Sequence, residues 1–207
     1  MGKNKKKRER KINIFIALEG NREEVFLDFL QELFDPQKTI NLNYPDDKGG
    51  NSNAILDRAL KSVYSKNYAW FDEDGELDTE HKKTLENRWH VKFPKNTSDS
   101  NLQFYNNNMC NPIVVVSTPL SVEGILIRLF NHNMPPLLEP IRSEENFKEN
   151  KNRMKSSVKG FMGDLPDIEY YRLHLTKKKI LEKAKEINEL RLLLTIFGIK
   201  VSEEVKS

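Results

Sequence analysis

The chain has 207 residues, of which 37% are hydrophobic and 31% are charged, and this composition predicts one folded main domain with an appendage rather than a disordered chain. Its single cysteine excludes an internal disulfide, and no apolar run reaches the roughly 18 residues that span a membrane. The first apolar run is also too short for a secretory signal, so we expect a cytoplasmic protein without membrane contact.

The net charge of +3 hides a basic leader at residues 1–11. The leader holds seven basic residues against the single acid Glu9, so it carries +6, and +3 minus +6 leaves −3 for residues 12–207. Such a run is usually solvated, but basic N-terminal arms also bind nucleic acid by neutralising its phosphates, and both interpretations stay open here. The candidate nucleic-acid-binding residues are Lys5, Lys6, Lys7, Arg8, Arg10 and Lys11.

Residues 12–135 alternate short apolar runs with amphipathic stretches in the order β-α-β-α-β-α-β-α. This order predicts an α/β fold, in which a mostly parallel sheet with right-handed crossovers is flanked by helices. The second predicted strand alternates apolar and polar residues, which is typical of a strand with one wetter face or of one at the edge of the sheet. Residues 94–111 are expected to form a long loop because they are rich in Asn and Ser. The predicted strands are 12–18, 39–44, 68–71 and 113–116, and the predicted helices are 22–34, 54–64, 78–89 and the segment that follows Ser121.

The helix ends are predicted from capping preferences and periodicity. Ser52 or Asn53 is expected to cap the second helix, and the apolar spacing of that helix places Val63 on its buried face. Ser121 is expected to cap the fourth helix in the same way.

Residues 136–207 differ in character and are predicted to be a mainly helical C-terminal extension. The apolar residues of 171–197 recur at helical spacing and form a sustained stripe, centred on 180–194. We expect this stripe to pack on the sheet domain, with an interface between copies of the chain as the alternative.

Acidic residues stand at the ends of three predicted strands. Glu19 follows the first strand, Asp72 and Asp74 follow the third, and Glu123 follows the fourth by a few residues. In an open α/β sheet such carboxyl ends lie along one edge, where ligands bind, and carboxylates gathered there repel unless a cation lies between them. Mg²⁺, with Mn²⁺ as the alternative ion, suits such a cluster because it takes one or two carboxylates together with water and phosphate oxygens. The simpler interpretation, that these acids belong to polar turns and helix N-termini, also stays open.

Other chemistries find little support in the chain. The four histidines are scattered and the cysteine is isolated, which argues against a zinc site. The sequence has neither a G-x-S-x-G elbow nor a glycine-rich phosphate-binding motif, which argues against a triad hydrolase and against the common nucleotide-binding enzymes.

Four segments carry a likeness to a known family: KKKRERKINIFIALEG, GGNSNAILDRAL, YAWFDEDGE and NPIVVVSTPLSVEGILIRLF. They cover most of residues 5–131 and resemble the TOPRIM domain, and within it the RloB-like family of small bacterial defence-associated proteins. The closing motif departs from the family pattern, because three residues rather than two separate Ser117-Thr118-Pro119 from Glu123.

The resemblance implies a TOPRIM/Rossmann-like fold and a metal-dependent phosphodiester nuclease. In that assignment Glu19 is the general acid/base, and Asp72 and Asp74 hold Mg²⁺. Glu76 and Glu19 are further candidate metal ligands. The residues expected to line the site are Gly20, Gly50, Ser117 and Glu123.

Three functional hypotheses follow. The leading one is a Mg²⁺-dependent nuclease of bacterial antiviral defence, which cleaves RNA, tRNA included, in preference to DNA and has a partner ATPase as its switch. The rival is a non-catalytic module that uses the same domain and leader to bind nucleic acid or a protein partner. The third is a toxin-like or regulatory protein that assembles as a homo-oligomer through its C-terminal helices.

Overall fold

The computed structural model describes residues 11–73, 91–92, 103–104, 112–141, 143–163 and 168–202. These residues form an α/β fold, in which a four-stranded, all-parallel sheet is flanked by helices, as the sequence predicts. The strands are β1 (Ile12–Leu18), β2 (Ile40–Asn43), β3 (Asn67–Asp72), β4 (Val91–Lys92), β5 (Gln103–Phe104) and β6 (Ile113–Ser117). The helices are α1 (Asn21–Phe34), α2 (Ser52–Lys61), α3 (Val122–Leu129), α4 (Glu144–Met162), α5 (Ile168–His174), α6 (Lys177–Lys183) and α7 (Asn188–Leu194), and a 3-10 turn at Thr195–Phe197 follows them.

The strand order β2-β1-β3-β6 creates a switch point between β1 and β3. The chain passes from β1 outward to β2 through α1, and then returns across β1 to β3 through α2. The connection after β1 therefore runs toward β2 on one side of the sheet, and the connection after β3 runs toward β6 on the other side. Where the connections diverge, a crevice opens outside the carboxyl ends of β1 and β3. Residues that follow Leu18 and Phe71 stand at this crevice.

The two faces of the sheet carry different side chains, because successive residues of a strand point to opposite sides. On one face, Ile16 of β1 and Trp70 of β3 belong to the larger apolar core, which includes residues of α1 and of the C-terminal helices. On the other face, Ala17 and Ala69 pair across β1 and β3 and share a smaller core with Leu56 of α2. The two alanines let α2 lie close to both strands, which brings the loop before α2 to the crevice.

The C-terminal extension packs on the sheet domain, and the prediction of core packing is confirmed. Ile180, Leu190 and Leu194 are fully buried and share one apolar core with Ile16 and Trp70. The stripe that offered an alternative interface between copies is therefore inside the chain's own core. The predicted continuous helix of 171–197 is instead divided into the end of α5, α6, α7 and the 3-10 turn.

Several predicted boundaries need correction. The cap of α2 is Asn51, whose side chain accepts a hydrogen bond from the N–H of Ala54 at 3.0 Å, and neither Ser52 nor Asn53 occupies the cap. Because α2 ends at Lys61, Val63 is 90% exposed, and its predicted burial is wrong.

The predicted long loop of 94–111 contains β5, which pairs antiparallel with β4. The remainder of that loop and the predicted helix at 78–89 lie outside the described residues. The edge position predicted for the second strand is confirmed, since β2 pairs on one side with β1 and ends the four-stranded sheet.

None of the helices in the described ranges combines the length and the apolar character that a membrane crossing requires.

Candidate acidic site

Glu19 and Asp72 meet at the switch point of the sheet. The N–H of Asp72 donates a hydrogen bond to Oε2 of Glu19 at 3.2 Å, because β1 and β3 are adjacent parallel strands that end at the same edge. The expectation that strand order brings Glu19 to Asp72 is thus confirmed. Asp74 and Glu76 lie outside the described residues, and their assignment as metal ligands stays a prediction.

The carboxylate of Asp72 is buried and bonded at both oxygens. Its Oδ1 accepts from the N–H of Val122 at 2.9 Å, and its Oδ2 accepts from Nζ of Lys151 at 3.0 Å. Val122 opens α3, so Asp72 supplies from a distant strand the cap that Ser121 was expected to supply. Ser121 does occupy the N-cap position, but its buried Oγ has no hydrogen-bond partner among the described residues.

Glu23 is a third carboxyl of this edge that the sequence analysis did not single out. It lies in the first turn of α1 and is buried. Burial, followed by the negative charge of Asp72, raises the pKa of Glu23 to about 7, whereas hydrogen bonds from the N–H groups of Glu23 and Gly20 and the charge of Arg22 act in the opposite direction. The raised pKa of Glu23 is therefore mainly an effect of burial, with a smaller contribution from the charge of Asp72.

Glu123 is buried behind the crevice and forms an ion pair with Arg22 of α1. Its side chain is 2% exposed, whereas that of Arg22 is 35% exposed. The Oε1 of Glu123 accepts from the guanidinium, and Oε2 has no hydrogen-bond partner among the described residues. Gly124 next to it allows a close approach, because a Cβ built there would lie 2.5 Å from the carbonyl oxygen of Pro119. Glu123 therefore joins α3 to α1 through Arg22.

The glycine loop before α2 approaches Glu19 through Gly49, whereas Gly50, the residue expected to line the site, lies against Arg58 and Ala54 of α2. Both Gly49 and Gly50 have positive φ angles, of 93° and 96°, which glycine adopts without strain. A Cβ built on Gly49 would lie 3.7 Å from the carbonyl oxygen of Glu19. Arg58 of α2 holds the loop by donating to the carbonyl oxygens of Asp47, at 2.7 Å, and of Gly49.

Ser117 and Gly20 are two further residues that the sequence places in the lining of the site. The hydroxyl of Ser117 is fully buried and accepts from Nε1 of Trp70 at 2.8 Å, so this side chain belongs to the core rather than to the crevice. Gly20 is the N-cap residue of α1, and a Cβ built on it would lie 3.2 Å from Oε2 of Glu23.

Glu19 and Asp72 supply carboxylate oxygens, which are the kind of ligand that a hard divalent cation prefers. Within the described ranges no group of three or more His, Cys, Asp or Glu side chains is arranged to hold a metal ion. Mg²⁺ nevertheless needs only one or two protein carboxylates, since water and phosphate oxygens complete its octahedron. Asp72 forms an ion pair with the ammonium group of Lys151. The described residues that would hold Mg²⁺ are Asp72 and Glu19, with Asp74 as the predicted third.

Sequence reasoning missed Glu23, Arg22 and Lys151. Glu23 follows Glu19 by four residues, and that spacing in the first helical turn after a strand was the available signal. Arg22 and Lys151 lie 101 and 79 residues from the acids they bind, so no local pattern points to either.

The raised pKa of Glu23 predicts a pH dependence of stability. In the unfolded chain this carboxyl titrates near 4.5, so between about pH 4.5 and 7 the folded protein retains a proton that the unfolded chain has released. The free energy of unfolding therefore falls as the pH rises through that window. In Glu23→Gln this decrease in the free energy of unfolding should be smaller than in the wild type by about 3 kcal/mol. Urea unfolding at pH 5, 6, 7 and 8 measures the difference.

The control for this measurement is Glu24→Gln, which makes the same change one residue along α1, where Glu24 pairs with Lys48 near the surface. If Glu23→Gln and wild type show the same pH slope, the buried carboxyl does not titrate as described.

No protein-family model, curated protein or solved structure matches the chain.

Proposed function

We propose that the chain is a Mg²⁺-dependent phosphodiester nuclease of the cytoplasm, which cleaves RNA, tRNA included, in preference to DNA. The observation that carries this proposal is the meeting of Glu19 and Asp72 at the switch point, where open α/β sheets bind their ligands. The preference for RNA, a role in bacterial antiviral defence and a partner ATPase come from the RloB-like resemblance alone.

The proposed chemistry assigns separate tasks to the described residues. A bound Mg²⁺ supplies charge neutralisation at the phosphate and activation of water. Asp72 provides a carboxylate whose position is set by its hydrogen bond from Val122. The carboxylate of Glu19 accepts from the N–H of Asp72, and the family resemblance assigns it the transfer of the proton.

The basic leader would serve this site from a distance. Lys11 precedes β1 at the amino edge of the sheet, whereas Glu19 follows β1 at the carboxyl edge. A strand of seven residues spans about 23 Å, so Lys11 and the crevice would contact phosphates several nucleotides apart on one backbone. Such contacts would hold the nucleic acid without reading its sequence.

A non-catalytic binding module is the second candidate function. The observation in its favour is that both oxygens of Asp72 have partners within the protein, Val122 and Lys151, as a purely structural carboxylate would. In that case the acids of the crevice serve to join β3 with α3 and α4.

Incubation with nucleic acids of several classes separates the two candidates. We expect the purified protein to cleave total tRNA or total RNA faster than plasmid DNA in the presence of Mg²⁺. Addition of EDTA should stop the cleavage. Metal-independent binding in a gel-shift assay without cleavage of any substrate, with or without a partner ATPase, would support the binding module instead.

A further inference from the structure

Lys151 is a cation that the fold places inside the acidic site. Its ammonium donates to Oδ2 of Asp72 at 3.0 Å and lies 5.7 Å from the centre of the Phe147 ring, one turn earlier on α4. The side chains of Lys151 and Asp72 are 13% and 8% exposed. In an ion pair so far removed from water, each charge helps to compensate the desolvation of the other.

The backbone that carries Lys151 is held in place by the residues around it. Asn150 is fully buried, and its amide group bonds the backbone of Leu138 at both polar atoms and the carbonyl oxygen of Ile141. Met154, one turn after Asn150, is buried in the main core. Movement of the ammonium away from Asp72 is therefore expected from rotation of the four-carbon side chain of Lys151 rather than from displacement of α4.

We propose that Lys151 is the exchangeable resident cation of the site: it neutralises Asp72 in the metal-free protein and leaves Oδ2 when a divalent cation binds. This inference rests on the proposed function, because it takes Asp72 as a ligand of that cation. Oδ1 is committed to the N–H of Val122, so Oδ2 is the oxygen at which the ammonium and the metal compete. An ammonium and a divalent ion within bonding distance of one oxygen repel strongly in such a water-poor environment.

The exchange has a measurable consequence for metal affinity. Part of the binding free energy of the cation is spent on displacing the ammonium, so the wild-type site binds more weakly than its carboxylates alone would. Removal of the ammonium takes away the cation paired with Oδ2 of Asp72, which destabilises the metal-free protein and strengthens the binding of a divalent cation. Lys151 thus sets the concentration of metal at which the site fills.

The test compares Lys151→Met with Lys155→Met, which removes the same charge from an exposed position one turn further along α4. Mn²⁺ is titrated into the full chain, and free Mn²⁺ is followed by electron paramagnetic resonance. We expect Lys151→Met to lower the Mn²⁺ dissociation constant about tenfold, and Lys155→Met to leave it at the wild-type value. We also expect Lys151→Met to melt at a lower temperature than wild type without metal, and to gain more from added Mg²⁺.

Equal or weaker Mn²⁺ binding by Lys151→Met would overturn the inference. If that variant does not fold, Lys151→Arg provides a second test, because it keeps the positive charge beside Asp72. It is expected to bind Mn²⁺ no more tightly than wild type, and tighter binding would count against the exchange.

Cleavage assays separate this inference from the proposed function. Tighter Mn²⁺ binding by Lys151→Met, in a protein that cleaves no nucleic acid, would support the exchange and contradict the nuclease. Mg²⁺-dependent cleavage by the wild type, together with unchanged Mn²⁺ affinity in Lys151→Met, would support the nuclease and contradict the exchange.

Discussion

Asp72→Asn and Glu19→Gln are each expected to lower the rate of Mg²⁺-dependent cleavage on the order of 10³-fold, because each removes a charge from the edge where the phosphate and the cation would meet. Both changes conserve shape. In Glu19→Gln the amide oxygen can still accept from the N–H of Asp72, so this variant should lose cleavage rate with little change in the fold. In Asp72→Asn the amide oxygen can still accept from the N–H of Val122, but the amide nitrogen that replaces Oδ2 cannot accept from Lys151. We therefore expect Asp72→Asn to lose stability as well as cleavage rate.

The matched control is Asp35→Asn at the opposite edge of the sheet. Asp35 is also a buried carboxylate, and it accepts from the N–H groups of Thr39 at 2.9 Å and Ile40 at 2.8 Å, just where β2 begins. We expect this variant to lose stability but to cleave at the wild-type rate.

Single-turnover cleavage and nucleic-acid binding should be measured for all three variants, with circular dichroism to verify folding. Cleavage at the wild-type rate by both Asp72→Asn and Glu19→Gln would locate any nuclease activity outside this crevice.

The framework of the sheet was predictable because each strand leaves a local signal. The apolar run of β3 is buried along its whole length, as a central parallel strand requires, and β2 alternates because it lies at the edge. Glu19 and Asp72 could then be placed together without any contact information. Their strands end at the same edge because the predicted sheet is parallel, whereas the direct pairing of β1 with β3 was not part of the prediction.

The electrostatic partners of the site were not predictable, since they come from elements far apart in the chain. Lys151 belongs to a polar helix whose composition suggests only a solvated surface, and its partner Asp72 is 79 residues away. The N-cap of α3 shows the same limit. Ser121 has the preferred residue type at the correct position, but Asp72 takes the bond because strand β3 ends beside the start of α3.

Helix ends were predicted less well than strand centres for a related reason. The apolar spacing of residues 171–197 continues across Thr176, whose side chain accepts from the N–H of Lys179 and begins α6 as a new helix. Periodicity identifies which residues face the core, and it does so correctly here, but it does not reveal a break that keeps the same face buried.

Arg22→Met is expected to lower the free energy of unfolding by about 3 to 5 kcal/mol, because it leaves the charge of Glu123 buried without a partner. The loss of stability depends on which member of the pair is replaced. Glu123→Gln should cost less, because Arg22 is one-third exposed and can be solvated when its partner loses its charge. The double variant Arg22→Met with Glu123→Gln should be more stable than Arg22→Met alone, since no buried charge then remains.

Arg172→Met is the control for this effect, because it removes the same group from an ion pair at the surface. Arg172 and its partner Glu32 are 42% and 39% exposed, so water solvates either charge after the other is lost. The expected cost is much smaller than that of Arg22→Met, because an ion pair at the surface contributes little to stability. Urea unfolding at neutral pH compares the four variants, and an Arg22→Met cost no larger than that of Arg172→Met would show that Glu123 does not depend on Arg22 for compensation. A large cost that the double variant recovers would instead establish that Arg22 compensates the buried charge of Glu123 and joins α1 to α3.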